Sequence, residues 1–360
     1  MQLLIYGAKS LALGVYRAIQ RCDPSCCVPC FLVTSLVGNP YTLAGLPVRE
    51  ISEFTSELEN TSPNDYHILI AAPEDQHPGI IRAIEENGYH HYSCMDSRKE
   101  SDWMEHYFSK VGLFPSLHSL NQGSEQAKLK VCMARFHRDR ELTNEVKIPR
   151  WVYPVQVGAA LANVRLDGDA DDSGKNISDR NANYCELTAL YWLWKNQLLI
   201  ASPDDAEYYG LFHYRRILDI TEEDLFRLKA NNVDVVLPFP TLHEPDMSEH
   251  HSRYVSEADW QAMRKALAEI HPEYVQVLSE ILEQPFFYNY NLILAKKQVL
   301  SDYCKWLFPV LMRTEELSVP KGWQRKDRYI GYLGENLLTV YFLYHKQRLN
   351  LYHTGRLMLV

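Results

Sequence analysis

The sequence contains no unbroken apolar run approaching the roughly 18 to 20 residues that a membrane-spanning helix needs, and residues 337–344 form one of its longest mainly apolar stretches. A spanning helix is therefore excluded. The basic flank and long apolar core of a secretory leader are also missing, because residues 1–6 run straight into a glycine turn, and the chain is expected to stay in the cytoplasm. Basic charge is in short supply: 37 Lys and Arg face 46 Asp and Glu, a formal net charge of -9. That balance opposes attraction to a polyphosphate backbone and argues against nucleic acid as a partner. Paired CxxC units do not occur. Four of the 8 cysteines, Cys22, Cys26, Cys27 and Cys30, crowd into CDPSCCVPC. Without a second ligand group at finger-like distance they read as reduced loop and core thiols rather than a metal site.

What is present suffices for two globular domains: 360 residues, of which 46% are hydrophobic and 23% charged. Residues 2–6 (QLLIY) predict a strand, Gly7 to Ser10 a turn, and residues 11–19 an amphipathic helix. Apolar runs at 30–34 and 67–72 predict further strands, the second followed by a helix whose first turn tolerates Pro78. Such alternation builds a small parallel sheet covered by helices. The Gly7 turn lacks the full GxGxxG and fits a plain strand-to-helix turn as well as a reduced dinucleotide loop. Periodicity lapses in the Ser/Gln/Gly-rich stretch PSLHSLNQGSEQ. A linker is therefore expected at 113–127, separating a domain at 1–112 from a second α/β domain at 128–360 that opens with a strand at 129–134.

Four segments of the second domain are richer in polar and aromatic residues than a core requires. In 166–184 (LDGDADDSGKNISDRNANY), a long polar loop precedes an aromatic helix at 186–194. Its alternating Asp167, Asp169 and Asp171 suit either a metal-holding DxD or a solvated acidic loop; a calcium loop fails because Asp172 stands where glycine is needed. Asn176, Ser178 and Asn183 are placed to orient a sugar or ribose through neutral hydrogen bonds. In 208–218 (YYGLFHYRRIL), strand alternation puts His213 and Arg215 on one face, with Arg216 opposite. A cationic pair there suits a diphosphate, because arginine offers a bidentate fork; surface ion pairs with Glu222, Glu223 and Asp224 are the alternative. In 286–294 (FFYNYNLIL), Asn289 and Asn291 alternate with aromatics and could read sugar hydroxyls or fix turns. In 328–338 (RYIGYLGENLL), Glu335 follows Arg328 by seven residues, on nearly the same face of a helix, either as a general base or as a structural pair.

Two resemblances extend these readings. The pattern TLAGLPVREISEF followed by HILIAAPEDQHPGI resembles the small N-terminal domain of sugar acetyltransferases, which implies a Rossmann-like fold over the first quarter of the chain. YPVQVGAAL, DDSGKNIS with NANYCELTALYWLWKN, GLFHYRRIL, FYNYNLIL with YCKWLFPVL, and RYIGYLGENLL together resemble a family of glycosyltransferase domains, long labelled as of unknown function, from capsular and exopolysaccharide loci. That likeness implies a GT-A-like α/β domain with a mixed sheet, binding a nucleotide sugar such as a UDP-sugar, and some members are similar to galactofuranosyltransferases. His137 keeps the ending of the family's opening strand while its neighbours depart from it. His213, Tyr214 and Arg215 stand where many GT-A enzymes carry DxD, so cationic side chains would replace a metal; no cofactor is expected, with Mg or Mn as the alternative. Glu335 is expected as the base of an inverting transfer, with Glu186 as runner-up. His213 and Arg215 would meet the diphosphate, and Arg216, Arg328, Asn176, Asn289 and Asn291 would hold the donor. The acceptor implied is lipid-linked and would bring peripheral membrane contact. A non-catalytic sugar-nucleotide sensor or scaffold is the alternative function.

Overall fold

A computed structural model provides the fold, with residues 2–58, 61–143, 147–202 and 205–360 described. The first sheet holds β1 (Gln2–Tyr6), β2 (Phe31–Val33), β3 (Thr42–Leu43), β4 (Leu46–Glu50), β5 (Tyr66–Ile70) and β6 (Tyr92–Cys94), in the order β3-β4-β2-β1-β5-β6. β3 returns antiparallel on β4, and the other pairs are parallel. Leu4, Ile5, Ile68 and Ile70 are fully buried, as both faces of a helix-covered parallel sheet demand. Helix Ser10–Cys22 covers one face with Ala12, Leu13, Val15, Tyr16 and Ile19. Helix His77–Glu86 carries Pro78 in its first turn, where the missing N–H has no intrahelical role. Gly7 turns the chain at φ +129°, and a Cβ there would lie 2.5 Å from the Ala71 carbonyl oxygen, so only glycine fits.

The second sheet begins with β7 (Leu129–Arg135), β8 (Val152–Gln156), β9 (Asp169–Ala170), β10 (Tyr208–His213), β11 (Arg216–Leu218) and β12 (Val235–Pro238). It is completed by β15 (Ile293–Lys296), β16 (Leu351–Thr354) and β17 (Arg356–Met358), while β13 (Thr241–Leu242) and β14 (Phe286–Phe287) form a separate antiparallel pair. Its main path runs β16-β12-β15-β10-β7-β8-β9, with β11 and β17 branching from the end of β10. β15 runs against β10 and β12, so the sheet is mixed, as the fold-class expectation required. β8 and β9 extend from one side of β7 and β10 lies on the other. The order therefore reverses between β7 and β10, and open α/β sheets bind ligands beyond the C-terminal strand ends at such a reversal. Helices Leu187–Leu193, Lys297–Leu317 and Tyr329–His345 contribute to the largest core on one face, and Val131, Met133, Phe212 and Leu225 belong to the core on the other.

Three expectations need correction. Residues 208–218 are two strands joined at Tyr214-Arg215, so His213 pairs directly with Arg216. Residues 286–294 are likewise interrupted, since Tyr290 and Asn291 take φ of +70° and +50° between β14 and β15. The 113–127 segment is not a free linker: Leu117 is fully buried, Ser116 bridges to His353, and the Pro115 carbonyl accepts from the His353 N–H at 2.9 Å.

The two sheets share an apolar seam in which Phe108 stacks on Phe239 with ring centres 5.6 Å apart. Polar ties flank it. Asp75 accepts from Arg215 at 2.9 Å and from Arg140 at 3.3 Å, while Arg356 grips Glu100 at 2.8 and 3.0 Å.

Candidate functional site

The C-terminal end of β10 delivers His213 into a buried polar cluster. Glu186 enters from the residue preceding helix Leu187–Leu193, Asn291 from the left-handed turn before β15, and Glu335 from helix Tyr329–His345. Asn291 Nδ2 donates to Glu186 Oε1 at 2.6 Å. His213 Nε2 stands 3.6 Å from the same oxygen, too far for a hydrogen bond, and has no partner. Asn291 Oδ1 is also unpartnered. Buried polar atoms of this kind are uncommon and mark places where a ligand group or water completes the bonding. Gly334 makes the packing possible: a Cβ there would lie 2.6 Å from Leu187 Cδ1 and 3.3 Å from Asn291 Oδ1. That close approach explains a glycine in the middle of a helix.

Burial shifts the titratable groups of the cluster. Burial, followed by the charge of Glu186, holds Glu335 well above the ordinary glutamate range. Burial also depresses His213 and takes His250, whose Nε2 is 3.6 Å from Glu335 Oε2, down to about 3. All three shifts favour the uncharged form, a protonated carboxyl and two neutral imidazoles. A carboxyl biased toward its protonated form is a hydrogen-bond donor rather than a ready base, which weighs against Glu335 as the general base.

Positive charge comes from Arg216 and Arg328. Arg216 acts electrostatically on both His213 and Glu335, as the cross-strand pairing requires, and its guanidinium lies over the Tyr290 ring at 4.1 Å. Arg328 precedes its helix at φ +66° and donates from Nε to Cys185 Sγ at 3.3 Å. Burial pushes the Cys185 thiol up to about 12, so it remains a thiol.

Glu186, His213, Arg216, Asn291, Arg328 and Glu335 are thus brought together, and the other expected residues are not. Arg215 faces away and is held by Asp75. Asn176 donates to the Asp172 and Gly174 carbonyls and accepts from the Ser178 N–H, closing its own loop. Ser178 bonds Asp171, and Asn183 fastens the backbone of Gly322, Arg325 and Asp327. Asn289 donates to Thr241 at 3.0 Å, on another side from Asn291. His137 stands just past β7 with a buried, unpartnered Nδ1, near the strand reversal but outside the cluster's bonds. The alternating acids do not fit a metal: Asp171 is fully buried, accepting from the Gly158 and Ala159 N–H groups at 2.9 and 3.1 Å. Among the described residues no three His, Cys, Asp or Glu side chains are grouped to hold an ion. Sequence reasoning passed over Tyr290, Cys185 and His250. Tyr290 lay within a motif already singled out, but its left-handed backbone has no sequence signal when the residue is not glycine or asparagine.

The family described as Domain of unknown function (DUF4422) matches residues 132–347, more than half of the chain. The chain belongs to it. The DUF4422 segment contains every member of the cluster, whereas the first sheet and Arg356 lie outside. Among solved structures, the bifunctional glycosyltransferase WbbM in its apo form matches at 24% identity and a TM-score of 0.54, covering 64% of this chain and 45% of that one. This likeness shows a shared fold, and the chain spans less than half the length of that structure. The mannosyltransferase Ktr4p from S. cerevisiae matches at 11% identity over 67% of this chain and 76% of that chain, with a TM-score of 0.28. No curated protein matches the chain. Among the described residues no helix is long and apolar enough to cross a membrane.

Proposed function

We propose that the protein is a glycosyltransferase that moves a sugar from a nucleoside-diphosphate donor to a hydroxyl of a surface-polysaccharide acceptor, with inversion. The reading is carried by the meeting of Glu186, His213, Asn291 and Arg216 at the C-terminal end of β10, beside the strand reversal. The acceptor oxygen bonds to the anomeric carbon as the bond to the diphosphate breaks. Glu186 takes the acceptor proton, and Arg216 and Arg328 meet the charge that develops on the leaving group. His213 and Asn291 each carry an unpartnered atom suited to orient a hydroxyl, and the buried Glu335 stiffens the floor. The arginines take the place of a metal in this scheme. A UDP-sugar donor, a hexose such as galactofuranose, a lipid-linked acceptor and peripheral contact with the inner membrane face rest on the family resemblance alone.

A panel of nucleotide sugars tests the proposal by thermal shift, because a ligand of the folded state raises its stability by mass action. Hydrolysis of the stabilising sugar nucleotide is then measured for wild type and Glu186→Gln. Stabilisation by one donor class, with turnover lost in Glu186→Gln, is the expected result. A chain that neither binds nor hydrolyses any nucleotide sugar would overturn it.

A further inference from the structure

A cleft of about 580 Å³ separates the two sheets, a size that accommodates a small ligand. Its first wall is the C-terminal edge of the N-terminal sheet, formed by residues 7–11, 33–35 and 71–73, with Met95. The strand order of that sheet also reverses here, between β1 and β5. The opposite wall consists of Arg216, Arg253, Tyr254, Tyr290 and Arg356 from the other half.

Four cations therefore line one cavity: Lys9, Arg216, Arg253 and Arg356. Arg356 pairs with Glu100 and Arg253 with Glu249, each leaving part of its guanidinium toward the cleft. Lys9 and Arg216 have no carboxylate partner among the described residues; Lys9 donates only to the Gly38 carbonyl. Glu74, the remaining carboxylate of the lining, accepts the Ser97 N–H at 2.7 Å. The cations also feel one another, since burial and then the charge of Arg253 depress Lys9. Holding like charges together costs free energy that a bound anion recovers. Tyr290 stands between Arg216 at 4.1 Å and Arg356 at 5.1 Å, giving the cationic wall a flat face. The same residue reaches the buried cluster, because its backbone lies close enough to act on both His213 and Glu335. The cleft and the cluster thus adjoin through Tyr290 and Arg216.

We propose that this interdomain cleft is a second anion site that takes a diphosphate-bearing ligand, held by Lys9, Arg253 and Arg356 against Tyr290 and distinct from the donor crevice between β7 and β10. Resting on the transferase reading, the ligand is the acceptor, its diphosphate anchored in the cleft and its terminal sugar directed toward Glu186. The N-terminal half is then a substrate-binding wall rather than a tether.

The test is a calorimetric titration of the full chain with inorganic diphosphate, alone and with UDP at saturation, for wild type and Lys9→Ala/Arg253→Ala, with circular dichroism confirming the fold. The expected result is diphosphate binding that persists under saturating UDP and weakens at least about tenfold in the double variant, while UDP affinity is retained. The result that overturns the proposal is loss of diphosphate binding when UDP is present, unchanged diphosphate affinity in the double variant, or a parallel loss of UDP affinity that makes the cleft the donor site. If UDP does not bind at all, the transferase reading fails, while the diphosphate isotherm still reports on the cleft. Should the double variant misfold, Arg253→Gln alone, with the same two titrations, decides the question.

Discussion

Replacing Glu335 by glutamine should alter how stability depends on pH and leave chemistry nearly intact. The buried Glu335 carboxyl keeps its proton at pH values where an unfolded chain has lost it. Its contribution to stability is full below the ordinary glutamate pKa of about 4.3 and is lost as pH rises toward the elevated value in the fold. Across that window the folded protein binds one more proton than the unfolded chain at this site, which costs wild type up to about 1.4 kcal/mol per pH unit. A glutamine cannot ionise and loses nothing. The depressed His213 gives the opposite trend, losing stability as pH falls below about 6.5, but it is common to both proteins and cancels in their difference. Melting temperatures of the pair should coincide near about pH 4 and diverge in favour of Glu335→Gln as pH rises, by roughly 2–4 °C per kcal/mol. Turnover of Glu335→Gln should stay within about threefold of wild type, whereas Glu186→Gln should lose on the order of 10²- to 10⁴-fold. Parallel melting curves across the pH series, or turnover lost in Glu335→Gln and retained in Glu186→Gln, would refute the assignment of the proton.

Gly7→Ala combines a positive φ with backbone overlap on Ala71 and should cost about 2 kcal/mol or more, read as a lower urea midpoint; an unchanged midpoint would contradict the close approach. Asp171→Ala removes the acceptor of two buried N–H groups and the Ser178 hydroxyl and should destabilise by about 3 kcal/mol, a loss that a shift under about 0.5 kcal/mol would disprove. Turnover should survive exhaustive chelation if arginines serve the leaving group, and strict restoration by Mn or Mg would overturn that scheme.

Much of the fold was legible because local signals agreed with the tertiary arrangement. The apolar run at 2–6, the helix after Gly7 and the first-turn Pro78 each follow from periodicity and backbone chemistry, and the structure places a strand or helix at each. The site was legible as segments but not as pairings. His213 and Arg215 were expected on one face because alternation assumes an unbroken strand. The chain instead turns at Tyr214-Arg215, returning Arg216 to His213 and releasing Arg215 to Asp75. Asn289 and Asn291 separated for the same reason, since a left-handed turn abolishes the two-residue period. The polar loop at 166–184 misled differently: Asn176, Ser178 and Asn183 have the chemistry to hold a sugar, but the loop and its neighbours absorb that chemistry. Nor does composition reveal that the Glu335 carboxyl is held above the ordinary glutamate range, because burial decides it.

The ties between helix Ser97–Val111 and the strand Arg356–Met358 limit how this protein could be recombined. Arg356 holds Glu100, Ser101 donates to the Arg356 carbonyl, and the Met358 N–H donates to Ser97. A cut at 113–127 would look like a clean junction on a linear map, yet a foreign N-terminal half grafted there would meet an arginine, a carbonyl and an amide with no counterparts. Any exchange of the first hundred residues would have to carry the strand Arg356–Met358 with it, because the ties run through that strand.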